Sequence, residues 1–142
     1  MQIRHKNREI YFREQTECTQ KYVIPYIEQV LCIKSNLRVL EIGCGEGGNL
    51  KPFLDVGCHC VGIDIDVAQL EKAKAFFANH SLNKNLRLIA NDIYKVSPNE
   101  IGTFDLIILR DVIEHLPNQE LFMHQLKCFM HSESVVFFGF PV

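Results

Sequence analysis

The sequence predicts an α/β fold: a doubly wound, mostly parallel sheet with helices on both faces. Three observations carry this. Short apolar runs at 37–42, 59–63, 86–90, 104–109 and 135–140 alternate with helical patterns, an order that favours parallel strands joined by right-handed crossovers. The first run leads into a glycine-rich loop, Gly43-Cys44-Gly45-Glu46-Gly47-Gly48, and then into a helix; ligands of open α/β sheets bind at such carboxyl ends of strands. An acid, Asp64, closes the second run 21 residues after Gly43, in register with the loop.

In chain order, residues 6–34 read as helical, with a break or new start near Pro25, since proline fits best in a first turn. Val23, Ile24, Ile27, Val30 and Leu31 form its apolar stripe, and Tyr11, Phe12, Tyr22 and Tyr26 add aromatic surface. This segment, 1–34, is expected to be a helical cap region on an α/β core spanning 35–142. In the glycine loop, Gly43, Gly45, Gly47 and Gly48 permit positive φ and close approach of a ligand to the backbone. The helix that follows, 48–56, keeps Pro52 in its first turn and buries Leu50, Phe53 and Leu54, with Gly57 as its stop. Asp66 is expected to cap the next helix with Gln69 three residues on, and Val67, Leu70, Ala73 and Phe77 to mark its buried face. Asn118 is expected to cap a helix reaching Met130, with Phe122, Leu126, Phe129 and Met130 inward and His124 and His131 on its surface.

The composition excludes several classes. The chain has 142 residues, suited to a single core, and a net charge of −2, which offers no electrostatic footprint for nucleic acid. Its only basic cluster, Arg4, Lys6, Arg8 and Arg13 against Glu9, reads as a solvated helix face. A signal-peptide core and a membrane-length apolar run are both missing from the sequence, so a cytoplasmic protein is expected. The six cysteines are then expected to be reduced. Cys58-His59-Cys60 has no second ligand pair at finger-like spacing, which argues against zinc.

Gly43, Gly45 and Gly48 satisfy the G-x-G-x-x-G spacing of dinucleotide-binding domains. Glu41 argues for a different ligand, because a carboxylate before the loop would repel a pyrophosphate and suit a cationic amine or sulfonium. Glu41-Ile42-Gly43-Cys44-Gly45-Glu46-Gly47 resembles the first motif of the class I S-adenosylmethionine (SAM)-dependent methyltransferases, acidic-x-Gly-x-Gly-x-Gly, and Gly62-Ile63-Asp64 resembles their second. The resemblance implies a Rossmann-like fold with SAM as cofactor. Glu41, Gly43, Gly45 and backbone groups near Arg110 would hold the methionine end. Asp64, with Ile65 beside it, would hold the ribose, and Asp92 and Ile93 the adenine. A turn-forming role for Asp92 stays open beside this. The alternatives are a dinucleotide-binding module of an oxidoreductase and a SAM-binding module without catalysis.

After the fourth strand, Arg110-Asp111-Val112-Ile113-Glu114-His115 is similar to a segment of ubiquinone-biosynthesis-type O-methyltransferases and of small-RNA 3′-end methyltransferases. Some of these bind a divalent metal there. On this chain that implies Asp111, Glu114 and His115 as ligands of Mg²⁺; His115 as general base and purely local hydrogen bonding are the other readings. The acceptor implied by default is a small molecule. Relatives of this type have seven strands, so strands one to five are expected here with the last two missing, as in a C-terminally truncated chain. The fifth strand would then be an apolar edge open to self-association.

Overall fold

The computed structural model describes residues 8–140; Arg4 and Lys6 of the basic cluster, and residues 141–142, lie outside them. Its centre is a five-stranded sheet in the order β3-β2-β1-β4-β5, every neighbouring pair parallel. The strands are β1 (Arg38–Ile42), β2 (His59–Asp64), β3 (Leu86–Ala90), β4 (Phe104–Arg110) and β5 (Met130–Gly139). The helices are α1 (Arg8–Cys18), α2 (Ile24–Ile27), α3 (Lys51–Val56), α4 (Val67–Phe77), α5 (Pro98–Ile101) and α6 (Gln119–Lys127).

Successive strand residues point to opposite faces, and the core divides accordingly. Val39, Leu106 and Ile108 pack with Phe53, Leu54 and Phe77 on one face. Leu40, Ile107 and Leu109 pack with Phe104, Phe122 and Leu126 on the other. Central strands buried on both sides need the continuous apolar runs seen in β1 and β4. Phe53 is fully buried, and a cavity of that size typically costs about 3–5 kcal/mol.

The helix borders follow local chemistry. Asp66 accepts from the amides of Ala68 and Gln69 and so caps α4. Gln69 does not close a reciprocal box; the Asp66 amide donates instead to Asp64 Oδ1 at 2.9 Å. Pro52 sits in the first turn of α3, which begins at Lys51 rather than Gly48, and Gly57 closes it in a left-handed conformation. Between α1 and α2, Thr19–Val23 form a π-helical turn. A proline ring clashes with the carbonyl four residues back, and the wider turn lets the chain reach Pro25 without breaking the helical path.

Three expectations need correction. Val67 is 57% exposed, because it lies in the first turn of α4, ahead of the buried Leu70–Ala73–Phe77 row. The helix α6 ends at Lys127, and Met130 starts β5, paired with Phe104. His131 therefore lies on β5, with Nε2 2.9 Å from Asp105 Oδ1. All six cysteines are free. Among the described residues no helix is long and apolar enough to cross a membrane.

Candidate functional site

The glycine loop leaves β1 at the carboxyl end of the sheet. Gly43 has φ +75°, and a Cβ there would lie 2.7 Å from Val112 Cγ2; only glycine meets both conditions. Gly48 has no positive φ. Its need is space, since a Cβ would lie 3.0 Å from the Phe12 carbonyl of α1. The loop is thus pressed between the sheet and α1. Thr16 Oγ1 donates to the Gly48 carbonyl at 2.9 Å, and Phe12 stacks on Phe76.

Two cavities open on either side of Gly43. One, of about 370 Å³, is mostly apolar and is lined by Asp64, Ile65, Asn91, Asp92, Ile93 and Tyr94, with Val112 and Leu116 opposite. The other, of about 400 Å³, is lined by the loop, Asn49, Arg110 and Asp111, and by Tyr11, Glu14 and Gln15 of α1. The candidate residues Gly43, Asp64, Ile65, Asp92 and Ile93 are therefore brought together around the first cavity. Gly43, Gly45, Arg110 and Asp111 meet around the second.

Asp64 links the two. Its Oδ2 accepts the Gly45 amide at 2.7 Å, and its Oδ1 accepts the Asp66 amide. Asp92 caps a short turn through the Tyr94 amide at 3.0 Å and lines the first cavity at the same time. Ile65 is 75% exposed at the rim, and Ile93 is buried at the base.

Glu41 sits differently from the expectation. It lies mid-sheet between Gly62 and Ile108, is 1% exposed and lines neither cavity. Its Oε2 accepts from Asn49 Nδ2 at 2.8 Å, while Oε1 has no partner. Asn49 Oδ1 accepts in turn from Thr19 Oγ1 at 2.7 Å and from Arg110 Nη1 at 3.0 Å. Glu41 thus reaches the second cavity through Asn49. Burial pushes its carboxyl up to about 8, opposed by the Asn49 hydrogen bond and the charge of Arg110. Above the loop, buried Glu46 lies 3.2 Å from Arg8, so Arg8 is no solvated helix-face residue.

The segment after β4 does not assemble as a metal site. Asp111 takes φ +56° and donates its amide to the Gly139 carbonyl at 2.8 Å. Glu114 and His115 follow on the single 3-10 turn Ile113–His115, where neighbouring side chains fan out. Their closest approach is 3.6 Å, and His115 is 76% exposed. Neither lines either of these two cavities. Among the described residues no three His, Cys, Asp or Glu side chains converge as metal ligands. The expected Mg²⁺ set of Asp111, Glu114 and His115 is therefore not supported by this arrangement.

Sequence reasoning missed Asn49, Thr19, Glu46 and Arg8. One signal was present. Phe12, Thr16, Thr19, Val23 and Ile27 recur at helical spacing and form the face that α1 and α2 turn inward, so the two threonines belong to a buried stripe.

A parallel sheet, a glycine loop after β1 and acids after β2 and β3 define an open α/β domain with a cleft at the carboxyl ends of its strands. The chain matches the methyltransferase domain family over residues 12–140 and belongs to it. It is similar to a ubiquinone biosynthesis O-methyltransferase of Bartonella tribocorum, 26% identical over 125 residues, covering 80% of this chain and 49% of that protein. It is also similar to a sterol 4-C-methyltransferase of Caenorhabditis elegans, 28% identical over 102 residues, covering 72% of this chain and 30% of that one. The chain thus spans about half the length of the first relative and less of the second. In fold it resembles coclaurine N-methyltransferase bound to N-methylheliamine and S-adenosylhomocysteine, with a TM-score of 0.72 and 21% identity over 86% of this chain and 35% of that one.

Proposed function

We propose that this chain is the SAM-binding part of a methyltransferase acting on a small-molecule acceptor. The carrying observation is the pair of cavities joined at Gly43. The first offers Asp64 for a ribose diol and an apolar slot with Asp92 for an adenine. The second offers charged and polar groups suited to a zwitterionic amino-acid end. When bound, SAM supplies an electrophilic methyl on a sulfonium. The residues of this chain bind and orient it, and α1 covers the second cavity against water. The match of residues 12–140 to the methyltransferase domain family favours this reading over a dinucleotide site.

The names of the relatives cover oxygen and carbon acceptors. A small acceptor is supported by the net charge of −2, which offers no electrostatic footprint for nucleic acid. The division into a cap over 1–34 and a core over 35–142 is supported by Tyr11, Glu14 and Gln15, which α1 contributes to that cavity. Among the described residues β5 is a sheet edge carrying Phe137 and Phe138, which supports self-association through it.

Thermal unfolding in the presence of SAM, S-adenosylhomocysteine or NAD tests the cofactor. A rise in melting temperature with the first two and none with NAD is expected. The reverse pattern would sink the proposal.

A further inference from the structure

We propose that this chain carries a further ligand site, for the phosphate group of a small phosphomonoester, at the end of the sheet opposite the glycine loop. The site is independent of the methyltransferase reading.

A third cavity, of about 240 Å³, opens where β1, β2 and β3 begin. Arg38 and His59 are the first residues of β1 and β2, and Arg87 is the second of β3. Lys84 comes from the 3-10 turn just before β3. A five-residue strand rises roughly 16 Å, so this cavity stands well apart from the two around Gly43. Its cations lie on separate segments of the sequence and meet only through the β1–β2 and β2–β3 pairing.

The charge around this cavity is unbalanced. Arg38, Lys84 and Arg87 line it, with Glu100 as its one acid. Glu100 has another task, since its Oε1 accepts the Ser97 amide at 3.4 Å in the capping box of α5. Neutral carbonyls, not acids, orient the two arginines. Arg38 Nε donates to the Thr103 carbonyl at 2.9 Å and Nη2 to the Ile101 carbonyl, with the guanidinium 4.8 Å from the Phe104 ring centroid. Arg87 Nη1 donates to the Glu100 carbonyl at 3.3 Å. Asp105 gives its two oxygens to the Arg38 amide and to His131. Among the described residues no carboxylate forms an ion pair with Arg38, Lys84 or Arg87.

Like charges gathered in one cleft repel each other and focus their field on an entering anion. The guanidiniums keep N–H donors beyond those the carbonyls use, and such forks match phosphate oxygens. The three cations exceed the one acid by two charges, which a phosphomonoester of about −2 balances and a single carboxylate does not. The volume falls below the roughly 300–1,000 Å³ of pockets for drug-sized ligands, so the molecule is small. Val61, Leu86 and Ile101 on the wall suit its carbon body.

Chemical-shift titration of the backbone amides with inorganic phosphate, glycerol 3-phosphate and glycerol, at constant ionic strength, tests this. The first two should give saturable shifts centred on Arg38, His59 and residues 84–87, with a Kd below about 1 mM, and glycerol none. Lys84→Gln combined with Arg87→Gln removes two exposed cations and should weaken both ligands by roughly 10- to 100-fold. Its melting temperature without ligand should stay close to that of the wild type. Equal affinity in the double variant overturns the proposal. So do shifts that never saturate, or saturable shifts confined to the glycine loop, which would give the phosphate to the cavities around Gly43. Exclusion of glycerol 3-phosphate from a site that takes inorganic phosphate overturns the monoester assignment. If the double variant does not fold, the wild-type titration decides alone by the place and saturation of its shifts.

Discussion

Asp64 Oδ2 accepts the Gly45 amide at 2.7 Å and ties the end of β2 to the glycine loop. One carboxylate therefore shapes the loop and faces the first cavity. Asp64→Ala should weaken SAM binding by about 1.5–3 kcal/mol, the loss expected for hydrogen bonds to a charged group. Calorimetry showing unchanged affinity would remove Asp64 from the ribose site.

Glu41 gives the site a pH dependence of definite sign. Its carboxyl is raised from 4.5 to about 8 by burial, so between these values the folded chain holds the proton more firmly than the unfolded chain. Stability from this group is present at low pH and falls as pH rises through that window, by roughly 1.4 kcal/mol per unit at most. Glu41→Gln cannot ionise and should lack this slope. Urea unfolding at pH 5 and pH 8 should show the variant gaining on the wild type by up to about 4 kcal/mol. A difference independent of pH would mean that Glu41 titrates like an exposed acid.

Gly43→Ala combines two penalties. A left-handed non-glycine residue costs about 1–2 kcal/mol, and the new Cβ meets Val112 Cγ2. Adding Val112→Ala should recover the contact part of the loss and leave the backbone part. Full recovery in the double variant would show that φ at this position is not constrained.

His115 is mostly exposed and stands outside both cavities. His115→Ala should leave stability within about 0.5 kcal/mol of the wild type and SAM affinity unchanged. Turnover on an identified acceptor should stay close to wild type as well; a fall of roughly 100-fold would establish His115 as the general base.

The sheet and the loop were legible because their signals are local. Apolar runs broken by turn formers marked each strand, and Asp66 announced its helix by standing before it. The Glu41–Asn49–Arg110 chain was not legible, because Asn49 and Arg110 are separated by 61 residues and only the β1–β4 pairing brings them together. The acid-rich segment invites a metal reading for the opposite reason. Asp111, Glu114 and His115 are close in sequence, but a left-handed residue and a 3-10 turn disperse their side chains. Met130 and His131 continue the pattern of α6, yet Ser134 Oγ donates to the Phe104 carbonyl and His131 bonds Asp105, long-range contacts that claim these residues for the sheet edge.

The clasp of α1 over the glycine loop also governs how the protein opens. A ligand in the second cavity touches α1 and the loop at once, so it acts as a removable cross-link between the first helix and the sheet. Local opening of α1 that breaks the second cavity should be suppressed by the same free energy as global unfolding. Amide exchange and proteolytic nicking within Arg8–Cys18 should then slow as cofactor is added, over the same concentrations that raise the melting temperature.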